Sequence, residues 1–319
     1  MTERSVMVTG AAGYVGRLTV EALAGRREGI RAVVAVDVRE VPPAERLGGV
    51  TYVTADVSAD DLSGVMREHG IDTVVHLASI VRVPPGAPED LAYRVDVVGT
   101  RKVLDACLAT GAHKLVVTTS GAAYGYHADN PPWLREDHPL RGNERFLYSH
   151  HKKLIEEMLA DCRRDHPELR QLVLRPGTVV GEGTSSPVTD LFEGPVILGI
   201  RGSDSPFVFV WDRDLVEIIL LGVLEDREGI YNVAGDGALT GRAIARRLGK
   251  PYVPVPTAVV ETALRVLRAL GRTAHGPEQV DFLRYRPVLS NRRLVEELGY
   301  RPLSSAEAFD QWARSRGRG

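Results

Sequence analysis

The chain has 319 residues, 44% of them hydrophobic, and a formal net charge of -2. That is enough for one large α/β domain, or for a nucleotide domain with a smaller companion, and the balanced charge gives no basic surface for nucleic acid or an anionic membrane. The two cysteines, Cys107 and Cys162, fall in helical patterns without metal-ligand spacing, so free thiols in a reducing cytosol and no metal site are expected.

Met1–Arg4 run straight into an apolar stretch, which leaves no room for a signal peptide, and no apolar run is long enough to cross a bilayer, so a cytoplasmic protein is expected. Val6–Val8 read as a strand, and Gly10, Gly13 and Gly16 follow with G-x-x-G-x-x-G spacing. Val15, Leu18, Val20 and Leu23 then mark an amphipathic helix. Strand, glycine turn and helix together predict a dinucleotide-binding turn: glycines let a phosphate approach the backbone, and the helix N-terminus offers it free N–H groups. The turn residues Gly10, Ala12, Gly13, Tyr14, Val15 and Gly16 are the expected cofactor contacts.

Ala32–Val36 form a second strand ending in Asp37, about 20 residues past the turn, where a carboxylate binds ribose hydroxyls and repels a 2′-phosphate. NAD is therefore favoured over NADP, although Arg39 nearby could accept that phosphate. Val50–Val53 are a third strand, and after it Asp56 either holds the adenine edge or is a helix N-cap, a role that Ser58 or Asp60 could take instead. Asp72–Leu77 are a fourth strand, with His76 read as a packed histidine and Ser79 just beyond it. A helix over 90–110 leads to a fifth strand, Leu115–Thr118, ending at Ser120. A further helix runs from Tyr148 to about Arg164, and Leu172–Leu174 make a strand ending at Arg175. Alternating strands and helices argue a parallel sheet covered on both faces, with ligands at the carboxyl ends of the strands. Gly10, Asp37, Asp56, Ser79, Ser120 and Arg175 all fall at such ends.

Past Arg175 the pattern loosens. Residues 181–205 read as a loop or lid, Phe207–Val210 as a strand, Asp212–Leu224 as a helix, Ile230–Val233 as a strand and Pro256–Leu270 as an amphipathic helix. The expected organisation is a nucleotide domain over 1–180, with 207–235 returning to it, and a smaller substrate-binding region from 181–206 and 236–319.

Tyr148 and Lys152 are four residues apart and share a helix face. An ammonium beside a phenol favours the phenolate, so the pair can exchange a proton with a substrate oxygen while hydride moves to or from a nicotinamide; Ser120 would hydrogen-bond that same oxygen. His150 and His151 are expected on the helix surface, since only residues three or four apart share the face of Tyr148; the alternative is that one of them reaches the active site. Glu136 and Asp137, in the preceding loop, are equally consistent with substrate contacts and with solvated acids.

With these residues in place the sequence resembles an extended short-chain dehydrogenase/reductase of the NAD-dependent epimerase/dehydratase type. The resemblance is carried by Thr9–Gly16, Asp37, Asp56-Val57, His76-Leu77-Ala78, Gly99-Thr100, Ser120 through Gly125, Tyr148–Lys152, Arg175-Pro176, Phe207–Asp212, Tyr231-Asn232-Val233 and Glu297–Pro302. It implies a Rossmann-type doubly wound parallel sheet with a smaller C-terminal domain. Ser120, Tyr148 and Lys152 would be catalytic. Val57, Leu77, Ala78, Ser79, Arg175 and Pro176 would join Asp37 and Asp56 at the cofactor. It also implies a homodimer through a four-helix interface of the helices near 90–110 and 148–164, for which Leu154, Ile155, Met158 and Leu159 are a possible stripe and equally possible core.

Three departures bear on the substrate. The acidic pair that the family's dehydratases carry after the serine is Gly121-Ala122 here, which argues against sugar dehydration. Ser205 and Pro206 stand where sugar-nucleotide enzymes often place a diphosphate-binding arginine; Arg201 or Arg213 could compensate. Asp96 stands where the family usually has asparagine. The expected activity is an NAD-dependent oxidoreductase acting at a secondary alcohol or ketone. The alternatives are a nucleotide-sugar epimerase with tightly bound NAD and, last, a non-catalytic NAD-binding protein.

Overall fold

A computed structural model of the protein describes residues 3–26, 28–84, 86–270, 276 and 280–317. Met1 and Thr2, read above as a lead into the first strand, lie outside them. In chain order the elements are β1 (Arg4–Thr9), α1 (Tyr14–Gly25), β2 (Ile30–Asp37), β3 (Val50–Thr54), α2 (Leu62–Glu68), β4 (Thr73–His76), the single turn α3 (Leu91–Tyr93), α4 (Gly99–Thr110), β5 (Lys114–Thr118), α5 (Leu147–Asp165) and β6 (Arg170–Pro176). There follow β7 (Thr178–Val180), α6 (Pro187–Asp190), β8 (Ile197–Ile200), β9 (Phe209–Trp211), α7 (Asp212–Leu224), β10 (Gly229–Val233), α8 (Gly241–Arg247), β11 (Tyr252–Val255), α9 (Thr257–Ala269), α10 (Val280–Arg284) and α11 (Ser305–Ser315). They sort into two compact units. One comprises Met1–Thr119, Leu154–Arg175 and Asp212–Tyr231; the other comprises Ser120–Lys153, Pro176–Trp211 and Asn232–Gly319.

The first unit is organised by a seven-stranded sheet in the order β10-β6-β5-β4-β1-β2-β3. The pairs β1–β2, β2–β3, β1–β4, β4–β5 and β5–β6 are all parallel. From β1 the chain first builds outward through β2 and β3, then returns to place β4, β5 and β6 on the other side, which makes the sheet doubly wound and Rossmann-type. Both faces are covered. Leu115 and Val117 join Met66, Leu104, Ile155 and Leu159 from α2, α4 and α5 in one core, while Val116 between them faces Gly222 of α7. Successive strand side chains point to opposite faces, so a strand buried on both reads as an unbroken apolar run; this is why β1, β2 and β5 are legible in the sequence. Ile155, Met158 and Leu159 are buried inside this core, so they do not form an exposed stripe for a partner subunit. Between α3 and α4, Arg94–Val98 adopt one turn of π-helix.

The second unit is built on aromatic packing. Phe192, Phe207, Phe209, Phe309 and Trp312 form its core, with Phe309 at ring-centroid distances of 5.2 Å from Phe209 and 5.7 Å from Phe192. Two small parallel pairs, β7–β9 and β8–β11, flank it. The stretch 181–205, expected as a loop, contains α6 and β8; β8 finds its partner in β11, more than 50 residues on, so no local period announces it. β9 covers Phe209–Trp211, not Phe207–Val210, because Phe207 makes an isolated antiparallel bridge to Leu239. Among the described residues no helix is long and apolar enough to cross a membrane.

Phe309 is fully buried, so Phe309→Ala is expected to cost about 3–5 kcal/mol of stability through lost burial and a residual cavity. Urea unfolding of the two proteins measures it, and a loss below about 1 kcal/mol would contradict this account of the core.

Candidate functional site

In the first unit the glycine turn is closed against the end of β4. Gly10 has φ +70°, and a Cβ added there would lie 2.6 Å from the backbone nitrogen of Ala78; one added at Gly16 would lie 2.0 Å from the carbonyl oxygen of Gly10. No other residue fits either place without moving backbone. The helix α1 that follows has no side-chain hydrogen bond at its N-cap, Gly13, and no acid in its first turn, which leaves its amino end receptive to an anion. Tyr14 donates its hydroxyl to Asp212 Oδ2 at 2.5 Å. Val15 packs as part of α1.

Asp37 closes the same corner. Its Oδ2 accepts from Ala12 N–H at 2.9 Å, and its Oδ1 accepts from Arg39 N–H at 2.9 Å and Arg39 Nε–H at 3.3 Å. The carboxylate thus ties the end of β2 to the glycine turn, in the place a ribose requires, and the Arg39 guanidinium is paired with it. The cradle that a Cβ would fill and this acid together fit an adenine dinucleotide.

The remaining expected cofactor residues divide. Leu77, Ala78 and Ser79 are half-buried at the end of β4, beside the turn. Asp56 accepts from Ser58 N–H and Ser58 Oγ at 2.8 and 2.7 Å, so its carboxylate organises its own loop, while Asp61 caps α2. Val57 is buried in the core against Gly99. Arg175, expected at the cofactor, is instead held internally. Its Nε and Nη2 each lie 2.9 Å from Glu156, Thr119 Oγ1 donates to the same carboxylate at 2.6 Å, and neither charged side chain is more than 4% exposed. Pro176, next in the chain, is half-buried in the second unit. His76 is bridged between Thr9 Oγ1 at 2.7 Å and Thr100 Oγ1 at 3.0 Å, the packed histidine its position suggested. Asp96 is buried and accepts from Ile80 N–H at 3.1 Å. Cys107 is a buried free thiol whose pKa burial pushes up to about 12.

In the second unit, Lys152 is buried and its Nζ lies 5.4 Å from the ring centroid of half-buried Tyr148, as the four-residue helical spacing requires. Ser120 caps a short 3-10 turn, accepting from Ala122 N–H at 3.1 Å. That turn is tied to the start of α5 by Ser149, whose hydroxyl donates to Ala122 O at 2.7 Å. Asn143 Oδ1 accepts from Tyr126 N–H at 2.7 Å and lies 3.2 Å from the same Ser149 hydroxyl. These polar pins tie the turn that Ser120 caps to the start of α5 and carry no motif in the sequence. His151, expected on the helix surface, is 4% exposed. Glu136 accepts from the backbone N–H of Asn232 at 2.7 Å, whereas Asp137 pairs with exposed Arg135. Arg201 and Arg213 are both exposed.

Fold and turn define an enzyme scaffold of the dinucleotide-binding Rossmann class. Residues 6–234 match the NAD-dependent epimerase/dehydratase family, and the chain belongs to that family. It is 27% identical to an uncharacterized protein of Mycobacterium tuberculosis over 98% of this chain and 84% of the relative. It is 36% identical to a UDP-glucose 4-epimerase of Azospirillum brasilense over 55% of this chain and 49% of the relative. In fold it is similar to dTDP-glucose 4,6-dehydratase of Bacillus anthracis in complex with NAD, with a TM-score of 0.73 at 18% identity, covering 99% of this chain and 97% of that one.

Glu156→Ala leaves a buried guanidinium unpaired and is expected to cost about 3–5 kcal/mol, while Glu156→Met combined with Arg175→Met removes both charges and costs markedly less. Chemical unfolding of the single and double variants measures the difference; equal losses would show that the pair is not coupled as its geometry indicates.

Proposed function

We propose that the protein is an NAD-dependent oxidoreductase that moves hydride between the nicotinamide and a secondary alcohol or ketone carbon. The observation that carries this is the pair Tyr148 and Lys152 on one face of α5, with the ammonium 5.4 Å from the phenol ring and Ser120 in the same unit. NAD, when bound, supplies the hydride acceptor. The chain does the rest. The glycine turn and α1 hold the pyrophosphate, and Asp37 takes the adenosine ribose. Tyr148 accepts or returns the proton at the substrate oxygen, and Ser120 donates a hydrogen bond that fixes that oxygen. Lys152 attracts the phenolate that Tyr148 becomes when it gives up its proton, and reaches the nicotinamide ribose.

Two features support a dehydrogenase over a dehydratase or a sugar-nucleotide enzyme. Gly121 and Ala122 offer no acid beside Ser120, and Ser205-Pro206 offer no guanidinium ahead of β9. A second reading, a nucleotide-sugar epimerase with retained NAD, is favoured by the partial likeness to the Azospirillum enzyme. The fit of the turn and Asp37 to NAD is common to both readings. A cytoplasmic homodimer is part of the proposal, with its interface on surfaces other than the buried residues of α5.

Tyr148→Phe is expected to lower turnover by about a hundred- to ten-thousand-fold while leaving NAD affinity within about twofold. Turnover followed by NADH absorbance, with NAD affinity by calorimetry, tests it; an unimpaired variant would remove Tyr148 from the chemistry. With wild-type protein and a panel of secondary alcohols, net NADH formation is expected. Tightly retained NAD with sugar interconversion and no net absorbance change would establish the epimerase instead.

A further inference from the structure

The helix α9 of the second unit has an apolar face that its own unit does not cover. A helix of a globular protein normally turns its apolar stripe into the core. In α9 none of the 13 residues is buried. The side turned toward the rest of the unit carries Thr257, Val260, Glu261 and Leu264, all half-buried. Val259, Ala263 and Val266 are exposed, as is Leu270 at the C-cap, and the exposure is large: 55% for Val259, 51% for Val266 and 63% for Leu270. These four residues are spaced by four, three and four positions, the spacing of a narrow seam that faces one partner helix.

The charges of the helix avoid that seam. At about 100° per residue, Glu261, Arg265 and Arg268 point roughly 130–170° away from it. Glu261 pairs with Arg265 along the helix at 3.4 Å. The positions flanking the seam are Val260 and Leu267 on one side and Thr262 and Ala269 on the other, so a helix laid along it meets no charge and buries none. The seam is also complementary to itself. Two copies of α9 running antiparallel about a two-fold axis set Val259 opposite the partner's Leu270 and Ala263 opposite the partner's Val266, and symmetry generates the reverse contacts. Each layer then joins a smaller side chain to a larger one. A parallel pair would set Ala263 against its own copy, leaving a gap, and would align the two helix dipoles.

We propose that α9 is the surface through which this chain binds a second copy of itself, as an antiparallel helix pair along Val259, Ala263, Val266 and Leu270; this rests on the homodimer in the proposed function and is independent of hydride transfer. A bilayer fits the face less well. A helix lying in a membrane surface combines aromatic anchors with an excess of cations for anionic headgroups, whereas α9 has no aromatic residue and the chain has a net charge of -2. One pair of helices of this length is a small interface, below about 1,200 Å², so the association is expected to be reversible and in the micromolar range.

The test measures the mass of the full-length protein by sedimentation equilibrium over about 1–100 μM, the range in which a micromolar association is read. Wild type is expected to approach twice the mass of one chain at the upper end. Val266→Glu, which puts a carboxylate into the seam, is expected to stay at half the wild-type mass, with circular dichroism and NAD affinity unchanged. An unchanged mass in Val266→Glu overturns the proposal and leaves the homodimer to another surface; a monomeric wild type overturns both. A second measurement adds no charge to the seam. Ala263→Cys and Val266→Cys, mixed and mildly oxidised, are expected to give a disulfide-linked dimer in about fivefold greater yield than either variant alone, since the two native thiols are buried. Equal yields overturn the antiparallel pairing. In flotation with vesicles of phosphatidylcholine and phosphatidylglycerol the protein is expected to stay in solution; capture by the vesicles that Val266→Glu abolishes overturns the proposal in favour of a membrane surface.

Discussion

The buried pairing of Arg175 with Glu156 is the constraint on which the packing of β6, β5 and α5 depends. Two opposite charges removed from water are stable only when their geometry is nearly ideal and their remaining lone pairs are satisfied. Here both donors of the guanidinium edge meet both carboxylate oxygens, and Thr119 satisfies a further site. The three residues come from the end of β6, the middle of α5 and the residue after β5. One turn before Glu156 on the same helix is Lys152, and two turns before is Tyr148; the residue after Thr119 is Ser120. Within the first unit the rotation of α5 from Leu154 onward is thus set by an electrostatic contact that tolerates little slippage.

A second constraint is steric. The approach of Gly10 to the backbone of Ala78, and of Gly16 to Gly10, leaves no volume for side chains. Asp37 then locks the turn to β2 through Ala12. The glycine turn is consequently shaped by backbone packing and one acid. In the second unit the contacts run between loops and elements far apart in the chain, among them those of Tyr126 with Asn143 and of Ser205 with Arg286.

This division explains what can be read from the residues. Helix spacing alone puts Tyr148 and Lys152 side by side, because a period of 3.6 residues is a local property. Glycine spacing and the acid after β2 are legible for the same reason. Arg175 differs from its expected place at the cofactor, because a strand-end arginine looks the same whether it faces a nucleotide or a carboxylate one helix away. His151 is buried where a surface position is expected, because helical phase relative to Tyr148 says which face a residue occupies but not what covers that face. Glu136 reads equally as a substrate contact or a solvated acid, and its partner, the backbone of Asn232, is nearly a hundred residues distant. β8, β11, α8 and α11 are not legible, because short elements that pair or pack over long separations carry little pattern of their own.

By itself, then, the sequence determined the doubly wound sheet, the tight glycine turn that opens α1, and the placing of Lys152 beside Tyr148, since each is written in spacings of a few residues or in unbroken apolar runs. Only the tertiary structure decided that Arg175 belongs to Glu156, that Ser149 and Asn143 pin the start of α5, and that Arg286 packs against Phe207. Those outcomes depend on which distant groups share a buried volume. Desolvation there makes every unpaired charge conspicuous, and no local period records it.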